Sequence, residues 1–382
     1  MTRKLYYEDA YIKSFDAEVI SCTECEGKYL IVLDSTAFFP EEGGQSADTG
    51  WLADVRVSDV YEEKGIIYHV CDSALHLGQA VGCKIDFDKR FEKMQCHTAE
   101  HIVCGIINKL YGFENVGFHL GEDYVTFDID GVLTREMLDE VENIANQAVF
   151  ENVEVKAYFP SKSELTELKY RSKIISENVD IRMVSVDGYD LCACCAPHVS
   201  RTGEIGLIKL LDFEKHKGGL RIFLSAGKRA LTDYRSRYSE ALKISALLSV
   251  PQNEVSDGVS KLLSDYERKI FEAKERGIIF AKREADRVPL SEGNYIAYFS
   301  EMSVDELRVF SKHALGKVKG MLVALCGDEG DLKYVISSES IDLRAITKQI
   351  NTALCGRGGG RAEMIQGSFA TDLANVKKYF DV

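Results

Sequence analysis

The stretch HTAEH at residues 97–101 lies within a helical pattern, and the stretch CCAPH follows much later at residues 194–198. In a helix, His97 and His101 are one turn apart on the same face, so their imidazoles lie close enough to share one ion. Cys194 and His198 offer a thiolate and an imidazole with the same spacing. These four side chains make up the nitrogen and sulfur ligand set that Zn²⁺ prefers. The two stretches therefore predict one zinc site.

The segments around these stretches predict an α+β protein with four parts. Residues 1–88 contain short β-rich runs without a helical period, which is typical of a small β-barrel. Residues 89–227 mix helical and strand patterns and include both metal-binding stretches. Residues 228–288 have the charged helical pattern of a helical hairpin or short coiled-coil linker. Residues 289–382 predict an α/β domain with a Gly-rich loop near its end.

The segment TAFFPEEGGQSADTG at residues 36–50 lies between two predicted strands. Its Gly43–Gly44 pair permits backbone angles that other residues avoid, and it lets the chain approach a ligand closely. An ordinary hairpin loop is the alternative interpretation, but Phe38 and Phe39 before a proline and a Gly-Gly-Gln sequence are unusually specific for one. We therefore expect this loop to serve a binding site.

Composition sets limits on the class of protein. The chain has 382 residues and eleven cysteines, and the cysteines lack the regular spacing of a disulfide scaffold, so we expect mostly reduced thiols. No apolar run approaches the length of a membrane span, and the amino terminus has no apolar signal core. These features predict a cytoplasmic protein without a membrane contact.

Charge gives mixed indications about nucleic acids. A net charge of −14 argues against a dedicated nucleic-acid-binding protein. However, the segment 215–237 carries seven Lys or Arg against one acidic residue, and a phosphate backbone would bind there. A solvated basic face is an equally good interpretation. A C-terminal cluster of glycines between two arginines could also bind phosphate through backbone N–H groups. The candidate nucleic-acid-binding residues are Lys215, Lys217, Arg221, Lys228, Arg229, Arg357, Gly358, Gly359, Gly360 and Arg361.

Four motifs occur together and in a fixed order. They are TxFFPExGGQ at residues 36–45, HxxxH at 97–101, CxxxH at 194–198 followed by TGEIG, and the C-terminal GGGR with a later Gln-Gly. This combination resembles the editing half of alanyl-tRNA synthetase. It resembles more closely the free-standing AlaX family of alanyl-tRNA editing proteins, whose long form carries a C-terminal domain of the type associated with DHH phosphoesterases.

The resemblance implies a zinc-dependent hydrolase that deacylates mischarged tRNA(Ala), with Ser-tRNA(Ala) and Gly-tRNA(Ala) as substrates and no aminoacylation activity. It implies that His97, His101, Cys194 and His198 bind Zn²⁺. It also implies that Thr36 recognises the seryl hydroxyl and that Gln45 contacts the substrate. The family's cysteine motif is more commonly CGGTH, and the extra thiols Cys192 and Cys195 leave the identity of the cysteine ligand open.

Other interpretations remain. HTAEH also fits the H-x-x-E-H pattern of a metalloprotease with Glu100 as the general base, although that leaves the other motifs without a role. A non-catalytic tRNA-binding protein with a structural zinc would also use four ligands. A phosphoesterase is a weaker alternative, since the DHH sequence is absent. We also expect a homodimer through the helical or C-terminal region.

Overall fold

A computed structural model describes residues 2–121, 124–171 and 181–381. The chain divides into two compact units, Met1–Ala241 and Leu242–Val382. The first unit combines helices with several sheets and the second combines helices with one sheet, which confirms the predicted α+β class. The boundaries between the four predicted domains remain predictions.

The first unit begins with a closed six-stranded barrel in the order β2-β3-β7-β6-β5-β8. Beside it, the short strand β1 pairs in parallel with β4. Alternate residues of the barrel strands are buried, as in β8, where every second side chain faces inward because successive residues point to opposite faces of a strand. The strands are β1 (Arg3–Lys4), β2 (Ser14–Cys25), β3 (Lys28–Leu33), β4 (Ser35–Thr36), β5 (Gly50–Leu52), β6 (Val55–Glu63), β7 (Ile66–Cys71) and β8 (Ala80–Ile85).

The long helix α1 (Phe87–Tyr111) follows the barrel and is buried from Met94 to Ile107. Gly112 ends it in the left-handed region, at φ +73°, where glycine is favoured. Asp86 precedes the helix, but its carboxylate does not cap the backbone. It accepts hydrogen bonds from Arg56 in β6 and from Thr49, just before β5, instead, so the start of α1 is attached to the barrel.

The remainder of the first unit packs around α1. An antiparallel sheet has the order β14-β15-β10-β9, and a second has the order β11-β12-β13. The elements are β9 (Asn115–Leu120), β10 (Val125–Ile129), α2 (Arg135–Glu151), β11 (Val155–Tyr158), α3 (Lys162–Glu167), β12 (Met183–Val186), β13 (Asp190–Ala193), β14 (Ile208–His216), β15 (Gly219–Ala226) and α4 (Gly227–Leu248), which extends past the end of this unit. None of the helices in the described ranges is both long and apolar enough to cross a membrane.

The second unit is built on a five-stranded sheet in the order β16-β17-β18-β20-β19. The pair β16 and β17 is parallel, and the other pairs are antiparallel. The elements are α5 (Val255–Arg287), β16 (Tyr295–Phe299), α6 (Val304–Ala314), β17 (Leu322–Cys326), β18 (Leu332–Ser337), α7 (Leu343–Ala353), β19 (Gly356–Gly360), β20 (Met364–Phe369) and α8 (Leu373–Tyr379).

The prediction of a Gly-rich loop in this unit is wrong. Residues 356–360 form β19, which pairs with β20 at the edge of the sheet. A Cβ atom added at Gly358 would lie 2.4 Å from the Tyr334 hydroxyl and 2.3 Å from the Gln366 carbonyl oxygen. Glycine is therefore required here because β19 lies so close to its neighbours.

Candidate metal centre

The four predicted metal ligands lie together at one point of the first unit. One ligand atom from each of His97, His101, Cys194 and His198 lies within 4.8 Å of the others. Nε2 of His97 lies 3.6 Å from Cys194 Sγ, and Nε2 of His198 lies 3.3 Å from it. Sulfur and nitrogen ligands in a tetrahedron around zinc would lie about 3.5 Å apart. The spacing of the donor atoms therefore fits a zinc ion.

Two of the imidazoles are oriented by hydrogen bonds on their outer nitrogens. Nδ1 of His97 lies 2.9 Å from Gln45 Oε1, and Nδ1 of His198 lies 3.0 Å from Thr98 Oγ1. The Thr98 hydroxyl donates to the Met94 carbonyl oxygen, so it accepts the proton of His198 Nδ1. A proton on Nδ1 leaves a lone pair on Nε2 that points to the centre of the cluster. Metal-binding histidines in proteins are held in the same way.

The third imidazole has an acidic partner. Nδ1 of His101 lies at an ion-pair distance of 3.1 Å from Asp190 Oδ2. Arg171 donates to both oxygens of Asp190. Burial acts to raise the pKa of Asp190, but His101 and Arg171 lower it below its usual value. Asp190 is therefore a charged, fixed partner for His101.

Replacing Asp190 by asparagine is expected to weaken metal binding by about 10- to 100-fold, the usual effect of losing the outer partner of a metal ligand. The neutral amide keeps the size of the side chain but removes the charge that holds His101. Affinity can be measured by competition with a coloured chelator. Asp187→Asn is the control, because Asp187 is exposed three residues away. Equal affinities for the two variants would contradict the role of Asp190.

Three neighbouring thiols, those of Cys192, Cys194 and Cys195, are candidates for the cysteine ligand. Cys194 is the one grouped with three histidines, whereas Cys192 groups with His101 and Asp190. Burial opposes ionisation of Cys194, but the adjacent His97 and His198 hold its pKa well below its usual value. Burial raises the pKa of Cys192 to about 11 and also raises that of Cys195. Since metals bind the thiolate, these directions favour Cys194.

The backbone of the Gly-Gly-Gln loop passes close to β9 and so positions a residue of the site. Gly43 and Gly44 both have positive φ angles, +63° and +82°. A Cβ at Gly44 would lie 2.6 Å from the Phe118 carbonyl oxygen, and the Gly44 carbonyl accepts a hydrogen bond from Leu120 N–H. Only glycine permits this approach to β9. The approach brings Gln45 to His97.

Thr36 forms its side-chain hydrogen bonds with residues other than the metal ligands. It is fully buried, and its hydroxyl lies 2.8 Å from His69 Nε2. His69 Nδ1 lies 3.0 Å from the Ile31 carbonyl oxygen, an acceptor, so Nε2 accepts the proton of Thr36. The hydroxyl in turn accepts a hydrogen bond from Phe38 N–H. Thr36 is not among the described residues that line the cavity beside the metal ligands.

A cavity of about 460 Å³ adjoins the metal ligands, a volume within the usual range for small-molecule sites. His97, His101 and Cys194 line it together with Glu100, Asn115 and Arg171. Arg171, Asp190 and Thr98 also belong to this site, and no motif in the sequence marks them. Each acts through a residue distant in the chain, and no spacing rule marks such a contact.

The predicted nucleic-acid-binding residues do not form one patch of uncompensated charge. Arg221 donates two hydrogen bonds to Asp128, and Lys228 and Arg229 both pair with Glu92. Lys215 and Lys217 are exposed at the end of β14, and Arg357 and Arg361 are exposed in the second unit. An RNA contact at any of these residues remains a prediction.

The site and its surroundings match two families of tRNA synthetase domains. The family described as "Threonyl and Alanyl tRNA synthetase second additional domain" matches residues 181–222, which contain Cys194 and His198. The family described as "tRNA synthetases class II (A)" matches residues 3–89, which include the barrel. The chain is thus similar to proteins of the alanyl-tRNA synthetase group.

Individual proteins of the alanyl-tRNA synthetase group are also similar to this chain. The alanyl-tRNA editing protein AlaX-L of Pyrococcus horikoshii is 27% identical over 100% of this chain and 97% of its own length. This full-length similarity confirms the resemblance to the AlaX family. The alanine–tRNA ligase of Pyrococcus abyssi is 30% identical over 99% of this chain, which spans 43% of that ligase. The C-Ala domain of Aquifex aeolicus alanyl-tRNA synthetase covers 25% of this chain at 19% identity and a TM-score of 0.22, and no conclusion rests on it.

Proposed function

We propose that this chain is a zinc-dependent hydrolase that removes the wrong amino acid from mischarged tRNA(Ala), with Ser-tRNA(Ala) and Gly-tRNA(Ala) as substrates. The proposal depends on one observation, the convergence of His97, His101, Cys194 and His198 on one point. The first three of these side chains also line a cavity. The full-length similarity to an alanyl-tRNA editing protein supports the choice of substrate.

The chain's own residues would prepare the site for ester hydrolysis. A zinc ion bound by the four ligands would polarise the ester carbonyl or lower the pKa of a water molecule. Gln45, Thr98 and Asp190 fix the three imidazoles, so the donor atoms need no rearrangement. Phe118 packs its ring 4.6 Å from that of His97 and gives this side of the cavity an apolar surface.

The direct test is a deacylation assay on Ser-, Gly- and Ala-tRNA(Ala), with and without a chelator. We expect hydrolysis of the two mischarged substrates, sparing of Ala-tRNA(Ala), and loss of activity on chelation that added Zn²⁺ restores. A protein that binds tRNA(Ala) and zinc but hydrolyses none of the three would be the non-catalytic alternative. Cleavage of peptide substrates alone would favour the metalloprotease alternative.

We further propose that Thr36 supplies the selectivity for serine, as the family resemblance implies. Thr36→Val is expected to lower the preference for Ser-tRNA(Ala) over Ala-tRNA(Ala) by about 10-fold, the effect of losing one buried hydrogen bond. Thr36→Ser keeps the hydroxyl and serves as the matched control. The measurement is the ratio of the two deacylation rates. An unchanged ratio in Thr36→Val would remove Thr36 from this role and leave it a partner of His69.

We also propose a homodimer formed through α5. Val259, Leu263, Tyr266 and Ile270 follow the 4-3-4 spacing of a coiled-coil seam, and each is between 40% and 63% exposed. Further along α5, Gly277 lies against α6, since a Cβ there would meet Glu306. The first half of α5 is thus left to pair with a second copy.

Leu263→Glu is expected to convert the dimer to a monomer, because it places a charge in the proposed seam. Analytical ultracentrifugation over a range of concentrations measures the change. Lys261→Glu, at an exposed position outside the seam, should leave the dimer intact. A wild-type chain that stays monomeric at high micromolar concentration would refute this part of the proposal.

A further inference from the structure

We infer that Glu100 recognises the α-ammonium group of the aminoacyl ester and so separates aminoacyl-tRNA from tRNA whose amino acid is blocked at its nitrogen. This inference rests on the proposed function and adds a specificity-determining residue to it. Glu100 lies between the two histidines of α1 and, at three residues from His97, shares their face of the helix. It lines the same cavity as His97 and His101.

The Glu100 carboxylate is held in a fixed position. The side chain is only 3% exposed. Its Oε1 accepts hydrogen bonds from Cys104 Sγ, at 3.1 Å, and from the Asn115 amide nitrogen. The side-chain oxygen of Asn115, Oδ1, accepts a hydrogen bond from Gly117 N–H, so the side-chain amide cannot rotate freely. Glu100 does not belong to either group of potential metal ligands in the described residues.

The chemistry of the substrate explains what such a carboxylate would bind. An aminoacyl ester carries its amine on the carbon next to the ester carbonyl, and the protonated amine is the cation of the aminoacyl group. A substrate whose ester carbonyl lay at the metal ligands would have that amine inside the cavity that Glu100 also lines. Arg171, which also lines the cavity, is already paired with Asp190. A buried carboxylate therefore binds a substrate with an ammonium group much more strongly than a substrate with a neutral amide at the same position.

The consequence is a second level of selection. Peptidyl-tRNA and N-acetylaminoacyl-tRNA carry an uncharged amide at the same position, so they would leave the Glu100 charge without this partner. The site would then hydrolyse free aminoacyl esters and spare growing peptides, independently of how it distinguishes serine from alanine.

The test compares Ser-tRNA(Ala) with N-acetyl-Ser-tRNA(Ala) as substrates of the wild-type holoenzyme, Glu100→Gln and Glu140→Gln. Glu140 is exposed on α2, outside the cavity, and its carboxylate accepts a hydrogen bond from the Tyr111 hydroxyl. We expect the wild type and Glu140→Gln to hydrolyse the free-amine substrate about 10- to 100-fold faster than the acetylated one, the effect of a hydrogen bond to a charged group. Glu100→Gln should lose most of this preference at unchanged zinc content.

Each outcome has a distinct meaning. Equal wild-type rates on the two substrates would overturn the inference without any variant, so it can be refuted even when Glu100→Gln does not fold. A Glu100→Gln enzyme that keeps the wild-type preference would also overturn it and would leave Glu100 a structural partner of Asn115. A wild type inactive on Ser-tRNA(Ala) would refute the proposed function, and the inference would fall with it.

Discussion

His101→Ala is expected to lose its bound metal and to deacylate Ser-tRNA(Ala) more than about 100-fold more slowly, a larger effect than the loss of an outer partner. His101 is 2% exposed, and its ring lies 5.3 Å from that of His97 and 4.6 Å from that of His198. Without it, three donors remain, and Asp190 loses the imidazole it faces. Zinc content by atomic absorption and single-turnover deacylation measure the two effects.

His76→Ala is the matched control for this variant. His76 is an exposed histidine near the start of β8, so zinc content and activity should remain at the wild-type level. If His101→Ala kept one zinc per chain and wild-type activity, the cluster would not be the reactive centre. If it kept activity without zinc, the role of the metal in the proposed mechanism would be wrong.

Arg90→Met is expected to lower the free energy of unfolding of the first unit by about 3–5 kcal/mol, the cost of leaving one member of a buried ion pair alone. Arg90 is fully buried on α1 and pairs with Asp48, which is 2% exposed. Its guanidinium also donates to the Ala37 carbonyl oxygen, so it joins α1 to both ends of the loop that carries Gln45. Urea unfolding followed by fluorescence of Trp51, the single tryptophan, in β5, measures the loss.

The control for Arg90→Met is Arg3→Met. Arg3 forms an exposed pair with Glu8, and exposed pairs contribute little to stability because water and salt screen them. We expect no resolvable change for Arg3→Met. Adding Asp48→Asn to Arg90→Met should restore part of the loss, because it removes the uncompensated carboxylate. Equal stability of Arg90→Met and Arg3→Met would contradict a structural role for the buried pair.

The local features of the metal centre were predictable from the sequence. The i, i+4 spacing of His97 and His101 determines their positions as soon as the segment is helical, and both residues lie on α1. The side-chain types alone predict a ligand set suited to zinc, and the α+β class followed from alternation and helical periodicity. These are short-range properties, which is why residue spacing reveals them.

The long-range features were not predictable from the sequence. Asp190 and His101 lie close together although they are 89 positions apart in the chain, and no local pattern indicates that pair. The basic stretch looked like a phosphate site because its acidic partners, Asp128 and Glu92, lie far away in the chain. The glycines of β19 suggested a loop by composition, whereas pairing with β20 makes them a strand.

The donor atoms of the metal centre come from α1 and from the segment after β13. The side chains that contact the outer nitrogens of His97 and His101 come from the barrel loop and the start of β13. An unfolded chain would not hold these groups at one point, so zinc that binds the native form adds its binding free energy to the stability of the unit. Under the proposed zinc dependence, a shortage of zinc would therefore shorten the lifetime of the folded protein as well as stop the proposed hydrolysis. The amount of this protein in a cell would then follow the supply of the metal.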